Sequence, residues 1–443
     1  MIGLTRVASR TFSSLGIRNY RLYFVSQIVS MSGTWMQSVA QLWLVYRLTG
    51  SGTALGVVTA LQFAPVLVAG AWGGLVVDRL DKRNLLVATQ VVAGGLALAL
   101  GALTAAGLIE LWMIYALAFA HGCMKVVEVP ARHSFVVDMV GPDQVNNAVG
   151  LNSTVFNSAK VIGPALGGVL ISAVGIVWCF FLNALSYGVV IWGLLLMDRA
   201  QLRAAQPVRR GKGQLREGIK YVWTNPALRT ALLMTMLIGT VAFNFRVLLP
   251  VMADVEFAGG AGVFGALSAF MGVGAVAGAL YAASRRRPTR RRLIGSAFVY
   301  GALILVAAVV PTLELELATL VPMGAAGIVF VSTANSTLQL NSADSMRGRV
   351  MALYSAVFLG TTPIGSPIAG WLAEHAGARG AFVVSGVACF VAAAGALRVR
   401  WSDRLDTDTG EPPVARSPED PVPAVGAGGR HALRSALRVT LRR

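Results

Sequence analysis

The sequence predicts an all-α membrane protein of twelve transmembrane helices in two six-helix bundles, with both termini on the cytoplasmic side. Three observations predict it. The 443 residues are 55% hydrophobic and 13% charged, with a mean hydropathy of +0.65. Twelve apolar segments recur, at about 22–46, 53–77, 84–108, 111–131, 147–173, 176–197, 230–253, 263–283, 293–311, 317–340, 350–372 and 380–397. Each is long enough to cross a hydrocarbon core of about 30 Å as helix, and none alternates in polarity as a membrane strand would. Charge alternates as well. With the N-terminus inside, the cytoplasmic loops and ends hold 33 of the 38 Lys and Arg, and the outward loops hold only Arg47 and Arg379. This is the positive-inside pattern at every crossing. The net charge of +18 is then orientation charge facing anionic lipid headgroups, not a nucleic-acid footprint.

Residues 1–21 form a basic lead-in. The first apolar segment is too long, too rich in Gln and Ser, and too poor in cleavage-site residues to be a signal peptide. It carries Gln27, Ser30, Thr34, Gln37 and Gln41 at successive spacings of 3, 4, 3 and 4, so they share one helical face. Facing lipid would be costly for five such groups, so this face is expected to line a wet cavity and bind substrate. Polar packing between helices is the alternative. Segment two leads into Gly74-Leu-Val-Val-Asp78-Arg79-Leu-Asp81-Lys82-Arg83. Gly74 allows close helix approach, and Asp78 ends a helix where it can face the positive N-terminus of another. In segment four, Glu128 lies three residues after Lys125 and is expected to neutralise it.

Segment five contains Ala159-Lys-Val-Ile-Gly163-Pro164-Ala-Leu-Gly167-Gly168. Its small residues form a flat packing face, and Pro164 removes a backbone hydrogen bond and bends the helix. Ser153, Asn157 and Lys160 make a second polar stripe. Segment seven carries Asn244 and Arg246, and Asn157, Lys160, Asn244 and Arg246 are the substrate-binding candidates of these two segments. No acid lies at the depth of Lys160 or Arg246, so both are expected to face a central cavity and make it attractive to an anionic small molecule. Carbonyl or solvent contacts with a packing role are the alternative.

Three domains and a tail follow from these boundaries: a bundle over 1–198, a cytoplasmic linker over 199–229, a bundle over 230–398, and a disordered basic tail over 399–443. Within the linker, Gly218–Trp223 reads as a short interfacial helix closed by Asn225-Pro226. Residues 402–429 are rich in Asp, Glu, Pro and Gly, the composition of disorder. Leu433, Leu437 and Leu441 share one face of the last stretch, either a membrane-surface helix or a solvated basic end. The halves also repeat. Residues 148–168 and 350–370 match at seven of 21 positions at an offset of 202, a parallel repeat of the kind found in two-bundle transporters.

Some chemistries are not expected. The three cysteines lie in membrane segments without paired spacing, so neither a disulfide nor a metal site is predicted. The four histidines form no enzymatic constellation, no P-loop is present, and no cofactor is implied.

The 74–83 turn resembles the major facilitator superfamily signature G-x-x-x-D-R-x-x-R-R. The segment-five run resembles the antiporter motif G-x-x-x-G-P-x-x-G-G, departing from it at Ala159 and Lys160. Arg18-Asn-Tyr-Arg21, Gly33-Thr-Trp-Met-Gln37, Leu48-Thr-Gly-Ser51, Pro130-Ala-Arg132, Phe243-Asn-Phe245 and Arg347-Gly-Arg349 look like the branch containing the bacterial enterobactin exporter and macrolide efflux pumps, of transmembrane secretion effector type. The resemblance implies secondary-active export by alternating access, from a monomer, with the proton as coupling ion. It implies a cytoplasmic gate built from Gly74, Asp78, Arg79, Lys82, Arg83 and Glu128. Asp78 would latch onto helix eleven, which begins near Asp344, and the signature Arg would pair with an acid on helix four, for which Glu128 is the candidate. The substrate would be of siderophore or antibiotic type. A multidrug or macrolide pump for cationic or neutral amphiphiles, and an uptake carrier, are the alternatives. A mid-membrane carboxylate, the usual proton carrier, is absent from the segments; Glu128, Asp78 and the outer acids remain as carriers, as does proton exchange linked to Lys160.

Overall fold

Apolar runs condense into thirteen α-helices, with no strand among the described residues. A computed structural model describes residues 12–77, 79–202, 214–285 and 288–399. The first half comprises α1 (Arg18–Thr49), α2 (Gly52–Val77), α3 (Lys82–Ala105), α4 (Leu111–Val140), α5 (Val145–Val174) and α6 (Val177–Leu195). A short helix, α7 (Gln214–Thr224), leads to α8 (Pro226–Val241), α9 (Phe245–Val251), α10 (Ala261–Ala283), α11 (Arg290–Val309), α12 (Leu313–Leu340) and α13 (Asp344–Arg398).

Among the described residues, ten helical stretches are long and apolar enough to cross a membrane. Helix α1 falls short of that criterion because its polar stripe lowers its hydropathy. Helix α13 is one element by hydrogen bonding but two arms by geometry, since Gly377 takes φ 74° between them. That left-handed conformation is open to glycine at no steric cost.

The apolar segment over 230–253 lies within one span, Pro226–Glu256, but the helix is interrupted inside it. Helix α8 stops at Val241 and α9 starts at Phe245, followed by a π turn over Met252–Glu256. A break in a span frees carbonyls that need donors. Here side chains supply them. Asn244 Nδ2 donates to Thr240 O at 2.7 Å, Ser385 Oγ to Val241 O at 3.0 Å, and Tyr300 Oη to Ala242 O at 3.3 Å.

The two halves repeat in packing. Helix α2 packs on α4 and α3 on α6; likewise α10 packs on α12 and α11 on α13. Gly73 of α2 abuts the Val126 carbonyl of α4, as Gly274 of α10 abuts the Val321 carbonyl of α12. Between the halves run two seams, α2 with α13 and α5 with α10. Both are tight toward the end carrying Glu374. There Gly52 meets Gly370, and Gly168 meets Gly265. Toward the end carrying Asp344, Gly150 and Gly348 have no atom within 4 Å of where a side chain would begin.

Helix α7 covers the predicted Gly218–Trp223 stretch and docks on the second half. Tyr221 Oη accepts from Ala343 N–H at 3.0 Å, and Arg349 pairs with Glu217 at 2.7 Å. Asn225 then caps α8, its side chain accepting from Ala227 N–H. The tail over 402–443, the first eleven residues, residues 203–213 and Asp78 lie outside the described residues.

Candidate functional site

A cavity of about 240 Å³ lies where the halves meet, walled by α1, α5, the α8–α9 break, α10, α11 and α12. Its walls are aromatic, from Trp35, Phe243, Phe245, Phe264 and Tyr300, and it holds two cations, Lys160 and Arg246. Lys160 comes from α5, four residues before Pro164. Arg246 comes from the first turn after the break, which places it at the seam. Lys160 Nζ lies 4.6 Å from the Phe156 ring centroid and 5.8 Å from that of Trp35. Arg246 Cζ lies 5.4 Å from Trp35 and 5.9 Å from Phe63, and its guanidinium also donates to Ser38 Oγ. No carboxylate forms an ion pair with either cation among the described residues. Ring faces are negative and attract cations by about 0.5–2 kcal/mol each. The result is an apolar chamber whose two positive charges are met by rings and a hydroxyl.

The α1 polar stripe turns away from this chamber, contrary to expectation. Thr34 pairs with Tyr187 Oη at 3.3 Å, and Gln37 Oε1 accepts from Asn183 Nδ2 at 2.6 Å, both across to α6. Gln41 Oε1 accepts from Gln62 Nε2 of α2 at 3.1 Å. Ser30 is buried, and Gln27 lines a small void with Gln90, Glu128 and Arg132. The stripe knits α1 into its own half because Gly33 sits against Asn183 and Ser186 and admits α6. The cavity meets the adjoining strip, Trp35, Ser38, Val39 and Leu42. Two more expected lining residues lie elsewhere. Asn157 donates to Ser153 O on its own helix, and buried Asn244 accepts from Ser366 Oγ at 3.1 Å, tying the break to α13. Lys160 and Arg246 alone of the expected residues line the cavity.

Gly163 and Gly167 lie against α1 at Trp35–Val39, while Gly168 meets α10. Pro164 itself lines the cavity. The segment-five motif therefore packs α5 against both an own-half and an opposite-half neighbour.

In the gate region the expected pairing is corrected. Glu128 pairs with Arg132 on its own helix at 3.3 Å, not with Arg79 or Lys125. The acid that meets the 74–83 turn is Asp138, 2.7 Å from Lys82 Nζ. It sits ten residues further along α4, which extends beyond the predicted end of segment four. Arg83 is buried and donates to Leu194 O at 2.6 Å and Leu195 O at 3.0 Å, meeting the orphan carbonyls and negative end of α6. Arg79 is exposed and Gly74 buried. Helix α13 begins at Asp344, as expected, and Asp344 pairs with Arg347. Among the described residues no three of His, Cys, Asp and Glu converge as a metal site would require.

A family model described as transmembrane secretion effector matches residues 9–422. The chain belongs to that family, within the major facilitator superfamily. It is accordingly a multi-pass transporter of the cell membrane. It is 29% identical over 213 residues to the uncharacterized MFS-type transporter YfiS of Bacillus subtilis (strain 168), a match spanning 47% of this chain and 50% of that one. The staphyloferrin A transporter of Staphylococcus aureus is 23% identical over 378 residues, covering 83% and 92% of the two chains. The multidrug efflux pump Tap of Mycobacterium tuberculosis is 23% identical over 377 residues, covering 82% and 88%. Among solved structures, a bacterial homolog of the human lysosomal transporter Spinster, inward-facing and unoccupied, superposes with a TM-score of 0.69 at 14% identity over 87% of this chain and 98% of that one. That likeness shows the major facilitator fold.

Trp35, Ser38 and Asp138 escaped the sequence reading of this transporter. Trp35 and Ser38 lie one position from the stripe residues Thr34 and Gln37, on the strip beside them. A signal for Trp35 existed, since it is the only aromatic residue in the quoted Gly33–Gln37 motif.

Proposed function

We propose that this transporter is a proton-driven exporter of a small organic anion, working by alternating access between bundles 1–198 and 230–398 joined by the 199–229 linker. One observation carries the reading: Lys160 and Arg246 share an aromatic cavity at the seam with no carboxylate partner among the described residues. Cations are expensive at membrane depth and are retained there for function.

Twelve spans and cytoplasmic termini complete the reading. Helix α1 adds a span to the ten apolar stretches, and the two arms of α13 add another. The positive-inside pattern orients the Glu374 end outward. The tight seams at that end and the looser packing near Gly150 and Gly348 then correspond to an inward-facing state. Asp78 would latch the opposite state. Export is supported by the resemblance of the α5 motif to antiporters and by the efflux-pump relative Tap; the proton as coupling ion rests on the resemblance. We take the working unit to be a monomer.

The aromatic walls and the Tap relative favour a second reading, a pump for cationic or neutral amphiphiles. Proton-gradient collapse in everted vesicles separates the two. Collapse with an anionic catecholate, lost in a Lys160→Gln/Arg246→Gln variant, supports the anion exporter. Collapse with a cationic dye alone, unaffected by that variant, overturns it.

A further inference from the structure

We infer that Glu374 is the gating residue of the outer face, its carboxylate capping the N-terminus of α2 across the seam and holding the inward-facing state closed. The inference rests on the orientation proposed above.

The turn that receives Glu374 is rigid. Helix α1 closes with Gly50 at φ 61°, its N–H bonded to Tyr46 O at 2.7 Å. Ser51 N–H donates to Thr49 Oγ1 at 3.1 Å, and Ser51 Oγ accepts from Ala54 N–H at 3.1 Å. The one hydrogen left on the Ser51 hydroxyl goes to Glu374 Oε2 at 2.7 Å, and Thr53 N–H donates to the same oxygen at 3.0 Å. Thr53 N–H is one of the first-turn donors that a helix cannot satisfy internally. A carboxylate there gains charge-assisted hydrogen bonds and the positive end of the helix dipole. The acid that supplies it comes from the opposite half, more than three hundred residues away in sequence. These are two of the side-chain hydrogen bonds that cross between the halves.

Beside this contact the backbones touch. A Cβ on Gly52 would fall 2.5 Å from the Gly370 carbonyl oxygen. No side chain is interposed at this point, so the cap and the main-chain contact close the seam together. On the far side of Glu374, His375 is held by its ring nitrogen to Trp371 O at 2.9 Å and stacks on Trp371 with centroids 4.5 Å apart. The last turn of the first arm is thereby ordered before the Gly377 bend. This assigns a role to the Leu48-Thr-Gly-Ser51 motif, which the cavity does not use.

The test is labelling of whole cells or right-side-out vesicles by a membrane-impermeant thiol reagent. Cys179 and Cys389 are buried and Cys123 is exposed, so Cys123→Ser supplies the background. Ser268→Cys, on the cavity wall, reports opening to the outside. Leu108→Cys, exposed in the turn after α3, reports orientation. Glu374→Gln should speed external labelling at position 268 by about three- to tenfold, the discounted worth of charge-assisted bonds at an exposed site. Ser51→Ala should act in the same direction, and the double variant should gain little beyond Glu374→Gln because both remove one contact. Unchanged rates at 268 in both single variants, with position 108 labelled from outside, would overturn the gate alone. Labelling of position 108 only after permeabilisation would overturn the orientation, and the outer assignment with it. Additive single effects accompanied by matching losses in melting temperature would reduce Glu374 to a stability contact.

Discussion

Asn183, fully buried on α6, donates its side-chain amide to Gln37 Oε1 of α1 at 2.6 Å. Ser186 Oγ donates to Asn183 Oδ1 at 3.0 Å, and Thr34 meets Tyr187 one turn away. These groups satisfy one another inside the first half. Gln37→Leu should therefore leave the Asn183 amide short of an acceptor and cost about 1 kcal/mol, up to about 2. Thermal unfolding in detergent measures it. Substrate KM should stay at the parent value; a raised KM with an unchanged melting temperature would return Gln37 to the binding site.

Lys160 and Arg246 should behave in the opposite way. Each replacement by Gln removes a charge-assisted contact to an anionic substrate, worth about 1.5–3 kcal/mol, or roughly tenfold or more in Kd. Arg246→Lys should retain part of the affinity, since the charge persists while the planar fork that reaches Ser38 and stacks near Trp35 does not. Equilibrium binding to purified protein gives the comparison, and a neutral substrate analogue should be insensitive to all three changes.

The Lys82–Asp138 pair predicts a specific coupling. Both side chains are largely shielded, at 16% and 9% exposure, so Asp138→Asn should cost about 2 kcal/mol or more by stranding the ammonium. A double-mutant cycle between Lys82 and Asp138 should show an interaction energy. The same cycle between Lys82 and Glu128 should show none, because Glu128 is engaged by Arg132.

Tyr300→Phe tests the break between α8 and α9. The Ala242 carbonyl loses its side-chain donor, at a cost of about 1 kcal/mol. Because Arg246 follows the break within one turn, transport should fall further than stability does. Ser385→Ala removes the neighbouring donor to Val241 and should act similarly. Stability that falls with no change in transport rate would separate the break from the positioning of Arg246.

Much of the architecture is legible in the sequence because a membrane imposes long-range rules on composition. The spans appear as apolar runs, and Lys160 and Arg246 stand out because no acid shares their depth. The α1 stripe marks the limit of such reasoning. A 3–4 spacing says that Gln27, Ser30, Thr34, Gln37 and Gln41 share a face, but not which neighbour that face meets. Gly33 decides it by admitting α6, and an inter-helix contact of this kind is not written in either helix alone. Asp138 was missed for a related reason. Hydropathy ended segment four near Ala131, whereas helical hydrogen bonding carries α4 to Val140 and brings the acid to Lys82. The interruption at Ala242–Asn244 leaves no proline or charge as a marker at those positions. It depends on donors from Tyr300 and Ser385, far away in the chain.

The docking of α7 on α13 changes what joins the two halves mechanically. With Tyr221 and Glu217 fastened to the second half, α7 rides as a passenger of that half although it precedes α8 in the chain. The mechanical border between the bundles therefore falls before Gln214, not at the Asn225-Pro226 corner where the first span of the second half begins.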